Sequence, residues 1–179
     1  MKKVDVIVDL QFGSTGKGLL AGFLGVRNGY DAVISCNMPN AGHTAYAPDT
    51  GEKFMHKVLP SGIFGHNLRT IGIGPGAVFD IDRLEEEWKN VCKYNPDLTL
   101  LIHETAGILL PEHKEHEQGT LSRISSTMQG SAEAMVDKIR RNPGAIAKHR
   151  MLQLDQRLNQ YGKVAILEQG NWLNVFHHH

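Results

Sequence analysis

Val8-Asp9-Leu10-Gln11-Phe12-Gly13-Ser14-Thr15-Gly16-Lys17-Gly18-Leu19-Leu20 decides how the rest of the chain is read. An apolar, β-branched run over residues 4–10 leads into a glycine-rich turn, and a helix is predicted from residue 17 to residue 27. Gly13, Gly16 and Gly18 allow the backbone to approach a ligand closely. Lys17 places a cation where the unpaired amides and positive end of the helix dipole already favour phosphate oxygens. The loop is not a Walker A sequence. That motif needs a glycine where Gln11 stands and a Ser or Thr where Gly18 stands. A plain strand–turn–helix connection would explain the glycines but not the lysine.

Working outward, residues 31–36 read as a second buried strand, completing a β-loop-α-β unit. Residues 44–47 and 53–58 form the arms of a hairpin around the turn Pro48-Asp49-Thr50-Gly51. Strands follow at 70–73, 98–102 and 164–167, and helices at 80–94, 131–141 and 149–161. The 80–94 helix has an acidic first turn and an apolar face of Ile81, Leu84, Trp88 and Val91. Alternating strands and helices predict an α/β fold, with a mostly parallel sheet flanked by helices and a P-loop-like nucleotide-binding architecture. Residues 1–176 are expected to form a single domain.

Composition narrows the function classes. The chain has 179 residues, 41% of them hydrophobic, and 19 basic residues balance 19 acidic ones. That charge balance does not favour direct nucleic-acid binding or a membrane surface. No run approaches the roughly 18 apolar residues that span a bilayer. The two cysteines, Cys36 and Cys92, form no CxxC pair, which fits a reducing, cytoplasmic setting. The carboxyl-terminal His177-His178-His179 reads as a purification-tag remnant outside the fold.

Three further stretches could carry chemistry. Asn40-Ala41-Gly42-His43-Thr44 follows the second strand and should lie at the same sheet end as the glycine loop. There Asn40 and Thr44 can bond phosphate, and His43 can exchange a proton near neutral pH. Residues 122–130, rich in hydroxyls, precede a helix and suit either N-capping or a second anion site. Glu168-Gln169-Gly170-Asn171 follows a strand at the end where α/β proteins place ligands. Glu112-His113-Lys114-Glu115-His116-Glu117 lacks the HExxH spacing and reads as a solvated helix face.

Together these stretches resemble the adenylosuccinate synthetase superfamily. Gly13-Ser14-Thr15-Gly16-Lys17-Gly18 is similar to that family's GDEGKG loop. Asn40 to Thr44 matches NAGHT, and His56-Lys57-Val58-Leu59-Pro60-Ser61-Gly62-Ile63 is similar to HLIPSGI. Ser125-Ser126-Thr127-Met128-Gln129-Gly130 resembles the GTTGRG phosphate loop, and Glu168 to Asn171 an altered EGAQG. The resemblance implies a two-step ligase that phosphorylates the purine 6-oxygen and then displaces that phosphate with L-aspartate. It also implies Mg2+, cytoplasmic location and a homodimer.

By position, Gly13, Thr15, Gly16, Lys17, Gly18, Gly42, His43 and Thr44 would hold the triphosphate of ATP or GTP. Ser14, Asn40, Ser126, Thr127, Gln129, Gln169 and Asn171 would hold the purine monophosphate. Lys17 and His43 would be catalytic, His43 as general acid. The metal would take Ser14 and the Gly42 carbonyl. Thr15 and Gln129 depart from the family's glutamate and arginine.

Ser14 is the decisive departure, because ordinary members carry there the aspartate that removes the purine N1 proton. Serine is too weakly acidic for that role unaided, but it leaves room for a 2-amino group. The GSTGKG form resembles the viral relatives that act on dGMP on the route to 2-aminoadenine DNA. Setting in the host cytoplasm follows if the chain is viral. The alternatives are an ordinary synthetase acting on IMP or an inactive nucleotide-binding fragment, because family members run to roughly twice this length.

Overall fold

The computed structural model describes residues 4–8, 10, 15–120 and 129–177. Its main sheet contains β1 (Ala32–Ser35), β4 (Thr70–Ile73), β6 (Thr99–His103) and β8 (Lys163–Leu167), in the order β1-β4-β6-β8. Every pair is parallel, with Ala32 opposite Thr70, Thr70 opposite Thr99, and Thr99 opposite Lys163. The antiparallel hairpin of β2 (His43–Tyr46) and β3 (Lys53–His56) stands apart from it. A two-residue parallel pair, β5 (Val78–Phe79) with β7 (Gly107–Ile108), is the smallest sheet.

Parallel strands need long crossovers, and the apolar stripes of the helices supply them. Helix α2 (Ile81–Tyr94) buries Leu84, Trp88 and Val91. Its N-cap, Asp80, accepts hydrogen bonds from the amides of Asp82 and Arg83 at 2.9 and 3.2 Å. Helix α5 (Met151–Leu158) buries Leu154 and Leu158 and packs on α2 and β8. These side chains meet Ile71, Ile73, Leu100 and Ile102 of the sheet in one core. Helix α1 (Lys17–Asn28) lies against the hairpin and ends at Gly29, where φ is 60°. Helices α3 (Pro111–Thr120) and α4 (Ser131–Ile139) pack together, and α6 (Gln169–His177) closes the described chain.

The α/β prediction holds, and strand 70–73 and the hairpin fall where expected. The amino-terminal run does not. Residues 4–8 belong to none of the strands, with Val4, Val6 and Val8 68–82% exposed. A β-branched run supplies an extended backbone, but a strand also needs a partner. Here Asp5 is tied to Tyr30 and lies 3.4 Å from Asn28 Nδ2, beyond the end of α1. A cleft of about 1290 Å³ opens beside β1, lined by residues 4–8 and by Val33, Ser35 and His43.

The solvated-face prediction for residues 112–117 also fails, since His113 and Glu117 are buried. His113 Nδ1 accepts from the Leu110 amide at 3.0 Å, and its Nε2 lies 3.1 Å from Asp137. The expected helix 149–161 begins instead as a 3-10 turn, Ala147–Arg150, before α5.

Candidate functional site

The approach of α1 to β2 builds the centre of the site. Gly16, the N-cap of α1, has φ 83°, and no side chain caps the helix among the described residues. The start of a helix favours an anion through its amides and dipole. Gly18 and Gly22 let the helix close onto the hairpin. A Cβ on Gly18 would stand 2.5 Å from His43 Cβ, and one on Gly22 3.2 Å from Ala45 Cβ. Gly18 thus serves the packing of helix on histidine, a contact that brings Lys17 and His43 to the same cleft wall.

His43 is only partly exposed, and its pKa lies below the ordinary histidine value. Burial is the largest cause, followed by the positive charge of Lys17 and then by His56. The imidazole is accordingly neutral at neutral pH, and a bound polyanion would move it back toward protonation. Asn40 and Gly42 are exposed in the turn before β2, and among the described residues nothing lies within 4 Å of where a Gly42 side chain would stand. Thr15 is exposed and Thr44 partly exposed.

Behind His43 lies a buried polar scaffold that sequence reasoning missed. Glu87 is 3% exposed, yet its carboxylate accepts from the amides of Lys57, Val58 and Leu59 at 2.7, 3.1 and 2.9 Å. Arg83 Nε donates to it at 2.9 Å. The one sequence signal was position, because Glu87 falls three residues after Leu84 and four before Val91, on the apolar stripe of α2. This carboxylate fixes the 57–59 backbone that joins β3 to Pro60 and Ser61.

The second expected anion site is altered. The amides of Gly130 and Ala132, at the start of α4, already donate to Glu117 at 2.8 and 2.7 Å. The carboxylate occupies the helix start, so a phosphate here would rely on the preceding loop. Ser126 and Thr127 lie in that loop, outside the described residues, as do Gly13 and Ser14. Gln129 lines a small cleft of about 150 Å³ with Pro39, Lys57 and Arg83, next to the Asn40 turn.

Gln169 and Asn171 are exposed at the start of α6, beyond β8. β8 lies at the opposite sheet edge from β1, three inter-strand spacings or roughly 14 Å away. Lys148 lies beside them, 2.8 Å from Glu104 and 4.0 Å from Glu168, and its hydrogen bond holds the Glu104 carboxyl below its ordinary pKa. Lys138, which the sequence reading also passed over, donates to the carbonyls of Pro75 and Thr105 beyond β4 and β6. The structure therefore brings Lys17, Gly18 and His43 together at one end of this row and places Gln169 and Asn171 at the other.

A parallel sheet flanked by helices, with loops at its strand ends, is an α/β architecture of the kind that places ligands outside the carboxyl ends of its strands. The adenylosuccinate synthetase family profile matches residues 6–174, and the chain belongs to that family. It is 50% identical over 165 residues to the N6-succino-2-amino-2'-deoxyadenylate synthase of Vibrio phage phiVC8, covering 90% of this chain and 48% of the relative. It is 33% identical over 198 residues to the adenylosuccinate synthetase of Porphyromonas gingivalis, covering 98% and 45%. The structure of the cyanophage S-2L succinoaminodeoxyadenylate synthetase bound to dGMP and dATP superposes with a TM-score of 0.81 at 36% identity. That match covers 96% of this chain and 47% of the other. The chain thus spans about half the length of these relatives. Among the described residues no helix is long and apolar enough to cross a membrane.

Proposed function

We propose that residues 1–176 are the nucleotide-binding portion of a ligase that joins L-aspartate to C6 of dGMP. ATP or GTP would be consumed, the product would be N6-succino-2-amino-dAMP, and the host cytoplasm would be the setting. The observation that carries this reading is Ser14 in the glycine loop, where the ordinary family has aspartate. The higher identity to the phage synthase than to the cellular synthetase supports it.

The chemistry divides into two displacements. The purine 6-oxygen attacks the γ-phosphorus, forming an O–P bond as the bond to the nucleoside diphosphate breaks and the purine N1 gives up its proton to solvent. The aspartate amine then attacks C6, forming the C–N bond as inorganic phosphate leaves and the amine gives up a proton. Such transfers depend on positioning and charge stabilisation.

The α1 amides, Lys17, Gly13, Thr15, Gly16, Gly18, Gly42 and Thr44 would hold the triphosphate. His43, beside Lys17 on the cleft wall, would donate a proton to the departing phosphate oxygen. Asn40, Ser126, Thr127 and Gln129 would hold the monophosphate, with Ser14 and either Gln169 or Asn171 at the purine.

Mg2+ fits the donors available, which are the exposed Gly42 backbone and the Ser14 hydroxyl, both hard oxygens. No group of three or more His, Cys, Asp or Glu suited to a metal occurs among the described residues. This suits an ion held largely by nucleotide phosphates. When bound, the ion would neutralise charge on the transferring group.

Incubating the chain with dGMP, aspartate, ATP and Mg2+, and in parallel with IMP, tests the reading by chromatography of the products. A succino-nucleotide from dGMP is expected. Conversion of IMP alone would establish the ordinary synthetase instead. Calorimetric binding of nucleotides without either product would leave a nucleotide-binding module. A homodimer, expected for the family, is checked by light scattering.

A further inference from the structure

Glu104 and Lys148 have no part in the chemistry above, yet they meet beside the segment that carries Gln169 and Asn171. Glu104 follows β6, and its amide donates to the Leu167 carbonyl of β8 at 2.9 Å. Its own carbonyl accepts the Lys148 amide, also at 2.9 Å. The side chains repeat the connection, with Lys148 Nζ donating to one carboxylate oxygen of Glu104 at 2.8 Å. The other oxygen accepts the Gln169 amide at 3.4 Å. Lys148 Nζ also stands 4.0 Å from the Glu168 carboxylate. Glu104 thus ties together the end of β8, the 147–150 turn and the first residue of α6.

Packing explains only part of this. Helix α6 is anchored on the sheet by Trp172, which is buried and meets the His103 ring edge-on at 5.3 Å. The Trp172 amide donates to the Glu168 carbonyl at 2.8 Å, closing the first turn. The Lys148 side chain is 52% exposed, and ion pairs so open to water add little to stability. Residues 168–171 stay exposed at the rim, outside the reach of the Trp172 anchor. A side-chain amide there selects a 6-oxo purine only if its N–H donor is held in one direction.

We propose that Glu104, braced by Lys148, is a positioning residue for purine recognition: its carboxylate holds the Gln169 amide and so sets the direction from which Gln169 and Asn171 meet the purine 6-oxygen. The role rests on the reading that places Gln169 or Asn171 at the purine. The backbone bond between Lys148 and Glu104 aligns the two side chains before any ligand arrives, so the clamp is built into the free protein.

The test has two arms, both on the full chain. In the first, 15N NMR at fixed neutral pH without nucleotide follows the Gln169 amide proton. Glu104→Gln keeps an acceptor of similar shape but removes the charge, so this resonance should move upfield. Lys148→Met, which leaves the carboxylate unbraced, should disturb the same resonance and serves as the second variant. A Gln169 resonance that stays in place in both overturns the clamp.

In the second arm, calorimetry compares dGMP with 2-aminopurine deoxyriboside monophosphate, which lacks the 6-oxygen. The unmodified chain should prefer dGMP, and both variants should shrink that preference by about tenfold, the worth of one well-directed hydrogen bond. A general loss of folded structure would weaken both nucleotides alike. Equal losses, or none, overturn the positioning role. If the unmodified chain binds both nucleotides equally or binds neither, the reading of Gln169 and Asn171 fails and the positioning role with it. The NMR arm still shows in that case whether the clamp exists.

Discussion

Gly18→Ala is the most direct probe of how the site is assembled. The added Cβ would stand 2.5 Å from His43 Cβ and 3.0 Å from His43 Cα. Neither atom belongs to the end of a flexible side chain, so α1 must move off β2. Overpacking of this kind costs about 1–3 kcal/mol. The helix-propensity gain of alanine over glycine offsets up to about 1 kcal/mol and less in the first turn. A net loss of roughly 1–2 kcal/mol is expected from urea unfolding.

Because the displaced helix carries Lys17, affinity for Mg·ATP should fall as well, by about tenfold for each 1.4 kcal/mol lost. Two controls grade the effect. Gly22→Ala, with its Cβ 3.2 Å from Ala45 Cβ, should lie near zero because gain and strain cancel. Gly42→Ala meets nothing within 4 Å among the described residues and should leave stability unchanged. The reasoning is refuted if Gly18→Ala unfolds at the same urea concentration as the unmodified chain, or if Gly42→Ala is the more damaging of the two.

Other consequences can be checked separately. Replacing Glu87 by Leu strands three backbone amides and Arg83, and should cost about 3–5 kcal/mol in urea unfolding, whereas Gln should recover part of it; equal effects would deny the carboxylate its scaffold role. Burial holds His56 and His103 below the ordinary histidine pKa, so both bind protons more readily when unfolded. Their contribution is therefore present above about pH 6.5 and lost as pH falls through that value toward their folded pKa values, with a limiting slope of about 1.4 kcal/mol per pH unit for each group. A urea midpoint that stays flat from pH 7.5 to 5.5 would contradict this. Ser14→Asp should shift calorimetric preference from dGMP toward IMP, and an unchanged ratio would remove Ser14 as the specificity residue. Gly72→Ala would place its Cβ 3.0 Å from Ile34 and 3.1 Å from Trp172. It should lower stability by roughly 1–2 kcal/mol, seen as an earlier melt by circular dichroism.

Local chemistry was legible without coordinates. Helix α1 starts at Lys17 as expected, because its glycine N-cap and αL Gly29 C-cap are encoded within a few residues. The apolar stripe of α2 and the turn of the hairpin are similarly local. The motifs that point to the family, from the glycine loop to Asn40-Ala41-Gly42-His43-Thr44, are contiguous in sequence, and Ser14 lies within the first of them. What pattern could not reveal was pairing across the chain. Residues 4–8 have the composition of a strand, yet pairing depends on which edge is reached, and here Asp5 is bound at the far end of α1. The acidic run at 112–117 looked solvated because each charge was judged alone; Glu117 is buried because the amides of Gly130 and Ala132 receive it.

The same division runs through the glycine loop itself. The sequence alone determined that a glycine-rich turn precedes a helix, that Lys17 stands at its start, and that Ser14 stands where the family's loop carries a carboxylate. Only the tertiary structure showed that Gly18 exists to admit His43, that Glu87 holds the backbone behind it, and that His56 pairs with it across the hairpin. A turn and a cap are set by neighbouring φ and ψ preferences, which a short stretch of sequence carries. A buried hydrogen bond is set by which distant groups lose water together, and that is decided only when the chain has packed.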